Sequence, residues 1–136
     1  MMRSHWTVAL VGWFLFMTWL SHQSGPKTAE ESRALARELQ PLLPGRDPEA
    51  INCLLRKAAH VLVFAVLAIL ASGAAVAPGT SAPPVWVYGL LVVWCWGDEA
   101  TKLLVPGRHF SWLDVGLNGA GVVLGALLRM ALWYKI

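Results

Sequence analysis

The chain has 136 residues, of which 57% are apolar and only 14% charged. Soluble domains carry about 25% charged residues, so this composition predicts an integral membrane protein of one domain rather than a water-solvated one. The net charge of +3 comes from dispersed basic residues, without the clustered basic face that nucleic-acid binding uses.

The first apolar span runs from about residue 6 to 20 and gives way to Ser21-His22-Gln23. Arg3 precedes it, but no small-x-small cleavage pattern follows, so a retained helix is expected rather than a signal peptide. Lys27 to Pro48 is mixed in charge. Thr28 with Glu31 fits a capping box, and Leu35, Leu39 and Leu42 fall near one side of a short helix. That segment reads either as a helix lying along a membrane surface or as a loop with a helical turn. Asp47-Pro48 is a helix start, with Asp47 as cap and Pro48 in the first position.

The second span covers about 56–76, and its apolar part begins at Ala58. Arg56, Lys57 and His60 therefore lie inside a helix at the membrane boundary. A small, uncharged stretch from Ser72 to Pro84 makes the turn. The third span, about 84–104, is apolar only to Gly97, fourteen residues against the ~20 needed to cross. Continuing that helix through Asp98, Glu99 and Lys102 to about Val105 supplies the missing length, and Pro106-Gly107 ends it. The fourth span, about 111–133, carries Asp114 and Asn118 one turn apart, with Gly121 and Gly125 further along the same stripe. Trp6, Trp19, Trp86, Trp96, Trp112 and Trp133 fall near the ends of apolar segments, where indole favours the membrane–water boundary. The expected fold is all-α: four transmembrane helices in an up-down bundle.

Alternating direction brings the end of span one, the start of span two, the end of span three and the start of span four to one membrane face. Those places hold Ser21, His22 and Gln23, then Arg56, Lys57 and His60, then Asp98, Glu99 and Lys102, then Arg108, Ser111, Asp114 and Asn118. A polar pocket opening at one leaflet follows, because ionisable groups at membrane depth are expensive and gather around a function. Arg56 and Arg108 suit anion recognition by their planar forks, unless each pairs internally with Asp98, Glu99 or Asp114. His60, Asp98 and Glu99 are the candidate catalytic groups. His60 could carry a proton, donate to a phosphate or make an interhelical hydrogen bond. Asp98 and Lys102, four apart, can pair along their helix. Lys57 and His109 reach toward headgroups. His60 with the two acids could hold a metal, but no close-spaced ligand motif exists, and no metal or other cofactor is assigned. Cys53 and Cys95 have no metal-type spacing and read as two buried apolar thiols rather than a disulfide. Gly121-x-x-x-Gly125 lets helices approach closely, either within the bundle or in a homodimer.

The ordered set Arg56-Lys57-x-x-His60-x-x-x-Phe64, Asp98-Glu99, Pro106-Gly107-Arg108-x-x-Ser111-x-x-Asp114-x-x-x-Asn118-x-x-Gly121-x-x-x-Gly125 resembles the VanZ-like membrane family. Ser21-x-Gln23 resembles that family's segment after its first span. The resemblance spans nearly the whole chain. It departs at Lys102, where the family usually shows Gln three residues after the Glu. It implies a multi-pass protein of the bacterial cell membrane. It also implies an envelope setting, since the family's namesake is associated with low-level teicoplanin resistance.

The leading expectation is an accessory protein whose pocket recognises an anionic lipid headgroup, a phospholipid or a polyprenyl-phosphate carrier. The alternatives are a membrane enzyme acting on a lipid phosphate and a proton-coupled transporter. Orientation stays open. Eight Lys/Arg on the pocket side against Arg3, Arg129 and Lys135 on the other argue for a cytoplasmic pocket. Setting aside the four that belong to the site leaves near balance, and the envelope setting suits an outward pocket.

Overall fold

The computed structural model describes residues 2–77, 79–80 and 82–133. Among these, five α-helices and no strand are present: α1 (Met2–Ser21), α2 (Gly25–Leu39), α3 (Pro48–Ala75), α4 (Trp86–Lys102) and α5 (Trp112–Trp133), with a short 3-10 turn at Gln40–Leu42. The four long helices fall close to the four expected spans. Two of them, Pro48–Ala75 and Trp112–Leu132, are long and apolar enough to cross a membrane. Helix α4 has 17 residues, about one turn short. Helix α1 dilutes its apolar side chains with His5, Thr7 and Thr18. Lys135 of the charge count lies outside the described residues, as do the side chains of Arg3 and Trp133.

Helix α3 starts where Asp47-Pro48 predicts, with Asp47 as N-cap residue, although its carboxylate makes no capping hydrogen bond. Helix α2 begins earlier than the Thr28–Glu31 pair suggested. Its N-cap is Ser24 and its first turn holds Pro26, where a missing N–H costs nothing. Thr28 and Glu31 are therefore interior: the Thr28 hydroxyl donates to the Ser24 carbonyl at 3.1 Å, and Glu31 pairs loosely with Lys27. Helix α2 lies on α3 through buried Ala36, while Leu35 and Leu42 point outward. An ion pair at 3.3 Å between Arg33 and Glu49 ties the two helices.

The most extensive helix pair is α3 with α5. Gly121 and Gly125 are buried in it, and a Cβ at either would collide with the Val61 or Ala65 carbonyl of α3. The small-residue stripe is thus covered within the chain. Helix α1 joins α3 through the Trp13 indole N–H, which donates to the Val63 carbonyl at 3.0 Å. Trp6 lies flat against Gly73 and has the Arg129 guanidinium 5.0 Å from its ring centre, closing the bundle at one end. Between the two ends sits an apolar core of Met17, Phe64, Leu67, Ala68, Leu91 and Cys95.

Polarity is otherwise inverted relative to a soluble domain. Asp98, Glu99, Lys102 and Asn118 are buried, while Val8, Leu15, Leu62, Leu90, Val93, Leu113 and Leu127 are exposed. Trp19, Trp86, Trp96 and Trp112 are exposed as well. An outer surface this apolar agrees with the two helices long and apolar enough to cross a membrane.

Gly125→Leu should lower stability by about 1–3 kcal/mol, because overpacking displaces the α3 backbone. Gly116→Leu, where a Cβ meets open space, is the matched control. Thermal unfolding in detergent should show a large drop for the first and little change for the second.

Candidate functional site

At the end of the bundle opposite Trp6, the C-terminal turn of α4 and the first turns of α5 face Arg56 and His60 of α3. Between them a cavity of about 570 Å³ opens. Arg56, Lys57, His60, Glu99, Lys102, Arg108, Ser111 and Asp114 all line it. A second, smaller cavity of about 290 Å³ adjoins it on the α1–α2 side and is lined by Ser21, Gln23 and Asp98. The two share Thr28, Arg56, His60, Lys102 and Arg108 as a common wall. The adjacent acids thus divide, Glu99 serving one cavity and Asp98 the other, as neighbours about 100° apart on a helix must.

Lys102 governs the acids. Its ammonium lies 3.4 Å from Asp98 Oδ2 and pairs directly with Glu99 Oε1, both within α4. All three side chains are buried. Asp98 Oδ1 and Glu99 Oε2 have no hydrogen-bond partner among the described residues. Asp114 faces His60, its Oδ2 lying 3.5 Å from His60 Nε2. With Lys102 and His60 serving the carboxylates, neither Arg56 nor Arg108 forms an ion pair among the described residues. The internal pairing considered for the two arginines is not formed.

Asn118 lies outside the cavity wall, and Ser111, which lines it, also has a structural contact. Asn118 is fully buried and does not line the cavity. Its amide N–H donates to the Cys95 carbonyl at 3.3 Å, and its Oδ1 faces His60 Nδ1 at 2.8 Å. A carbonyl can only accept, so the Cys95 contact decides which end of the amide meets His60. Ser111 caps α5: its hydroxyl accepts the Asp114 backbone N–H at 3.2 Å.

The sequence reading missed part of the wall. Gly25, Thr28 and Ala29 of α2 and Glu49, Asn52 and Cys53 of α3 all line the larger cavity. Helix α2 reaches it because Gly25 packs directly on Gly107, leaving no room for a Cβ. Gly107 itself takes φ +75°, a conformation that favours glycine, in the turn after α4. The two glycines beside Pro26 and Pro106 were the available signal. Cys53 is exposed and Cys95 buried, both as free thiols, so only one of the two is the buried apolar thiol expected.

This arrangement is an all-helical bundle with a charged cavity at one end and an apolar exterior. The VanZ/LLP1 family model matches residues 6–133, and the chain belongs to that family. No curated protein and no solved structure matches.

Lys102→Met should destabilise the protein by about 3–5 kcal/mol, because it strands two buried carboxylates. Asp98→Asn on that background should recover part of the loss. Both effects are read from unfolding curves of the detergent-purified protein.

Proposed function

We propose that this chain is a multi-pass accessory protein of the bacterial envelope that holds an anionic lipid headgroup in the cavity of Arg56 and Arg108. The ligand class is a phospholipid or polyprenyl phosphate, in keeping with a VanZ-like role in glycopeptide resistance. All four long helices cross the membrane in this reading. The shorter α4 reaches the boundary through the turn at Leu103–Val105, and α2 lies along the surface with Leu35 and Leu42 toward the acyl chains.

One observation carries the reading. Among the described residues, Arg56 and Arg108 line the cavity without a carboxylate partner. Guanidinium groups present paired donors to phosphate oxygens, and they do so best where water is partly excluded. Lys57, also on the cavity wall and exposed, adds charge at the rim. The envelope setting favours an outward-facing cavity.

Mass spectrometry of lipid co-purifying in mild detergent tests the headgroup. Wild-type protein should retain an anionic lipid, and Arg56→Ala or Arg108→Ala should weaken retention about 10- to 100-fold, the worth of one charged hydrogen bond. The same nonspecific lipid in all three proteins would remove the reading. A processed lipid in wild type that stays intact with Asp98→Asn would make the protein an enzyme.

Orientation has its own probe in exposed Cys53. A membrane-impermeant maleimide should label it in intact cells, and labelling only after lysis would place the cavity in the cytoplasm.

A further inference from the structure

We propose that His60, Glu99 and Asp114 bind a divalent transition-series cation such as Zn²⁺ or Mn²⁺. No two of these residues are close in sequence, yet α3, α4 and α5 bring one donor atom from each within 4.8 Å of the other two. His60 Nε2 and Asp114 Oδ2 are 3.5 Å apart. Two ligands on a tetrahedral ion with bonds of about 2.0–2.2 Å lie about 3.4 Å apart. That pair therefore already has the required span, and a Glu99 carboxylate oxygen lies within 4.8 Å of both.

Two observations point to a cation at this place. The first is the orientation of His60. Asn118 presents an oxygen to His60 Nδ1, so Nδ1 is the donor there and Nε2 is the ring atom turned toward the Asp114 carboxylate. Metal-bound histidines are oriented in this way, by an acceptor on the far ring nitrogen.

The second is Glu99. It is 0% exposed, and its Oε2 has no hydrogen-bond partner among the described residues although the side chain lines the cavity. A buried carboxylate oxygen without a partner is costly, and a cation is its natural complement.

One nitrogen with carboxylate oxygens suits Zn²⁺ and Mn²⁺ rather than Ca²⁺ or Mg²⁺, which take oxygen alone. Three protein ligands leave a fourth position open to the cavity. This inference goes beyond the lipid reading and does not depend on it.

The test uses the full chain in detergent, stripped with EDTA and dialysed against Zn²⁺ or Co²⁺. Wild type should hold about one ion per chain by plasma mass spectrometry and show Co²⁺ visible absorption. Zn²⁺ should also raise its unfolding temperature. Asp114→Asn removes a partly exposed ligand and keeps the fold; it should bind at least about 10-fold more weakly and lose the thermal shift. His60→Gln should abolish the Co²⁺ band. Arg108→Ala should keep the ion whether or not it loses lipid, which separates this site from the headgroup reading. Wild type binding no more ion than Asp114→Asn would overturn the proposal and leave His60 and Asp114 as an ion pair. So would a Co²⁺ band insensitive to His60→Gln, or an ion lost from Arg108→Ala.

Discussion

The ammonium of Lys102, held inside the bundle between Asp98 and Glu99, is the constraint on which the site depends. Two adjacent carboxylates at the end of an apolar helix would otherwise repel each other and draw in water. With Lys102 on the same helix, most of the compensation is local and survives any small shift of α4 against its neighbours. The consequence reaches across the bundle. Because α4 carries its own counter-charge, α3 and the turn before α5 do not have to supply one, and Arg56 and Arg108 stay available to the cavity. In a chain with an uncharged residue at position 102, the same arginines would be the nearest counter-ions for the acids.

The helix interfaces position this charge with small residues. Gly121 and Gly125 allow α5 to sit on the α3 backbone. That close approach sets Asn118 and Asp114, one and two turns earlier, opposite His60. At the rim, Gly25 against Gly107 does the same for α2 and the turn after α4. Both contacts are backbone-to-backbone, so the geometry of the polar end is fixed by main-chain sterics rather than by flexible side chains.

Much of this was legible in the chain. The four apolar segments, the Asp47-Pro48 start of α3 and the gathering of charge at one end follow from hydropathy and alternating direction. The i to i+4 pairing of Asp98 with Lys102 follows from helix geometry. What stayed hidden depends on rotation and partner choice. Sequence spacing separates Asp98 from Glu99 by an angle but does not say which faces which cavity; the packing of α4 on α5 decides that. Asn118 looked like a cavity residue because it shares a face with Asp114, but one further turn takes it below the floor. Helix α2 was ambiguous because its packing face is Ala36 and small neighbours, a weak apolar signal beside the more prominent Leu35 and Leu42. The His60, Glu99 and Asp114 cluster has no signature because each member comes from a different helix.

The bundle is open at one end and closed at the other. Trp6, seated on Gly73 under the Arg129 guanidinium, seals the far end. From His60 to Gly73 the α3 axis covers about 20 Å, and the interior along it is filled by Phe64, Leu67, Ala68 and Leu91. Among the described residues, the polar groups gathered around Lys102 thus have their opening at the α2 end of the bundle, and the apolar column along α3 separates them from Trp6.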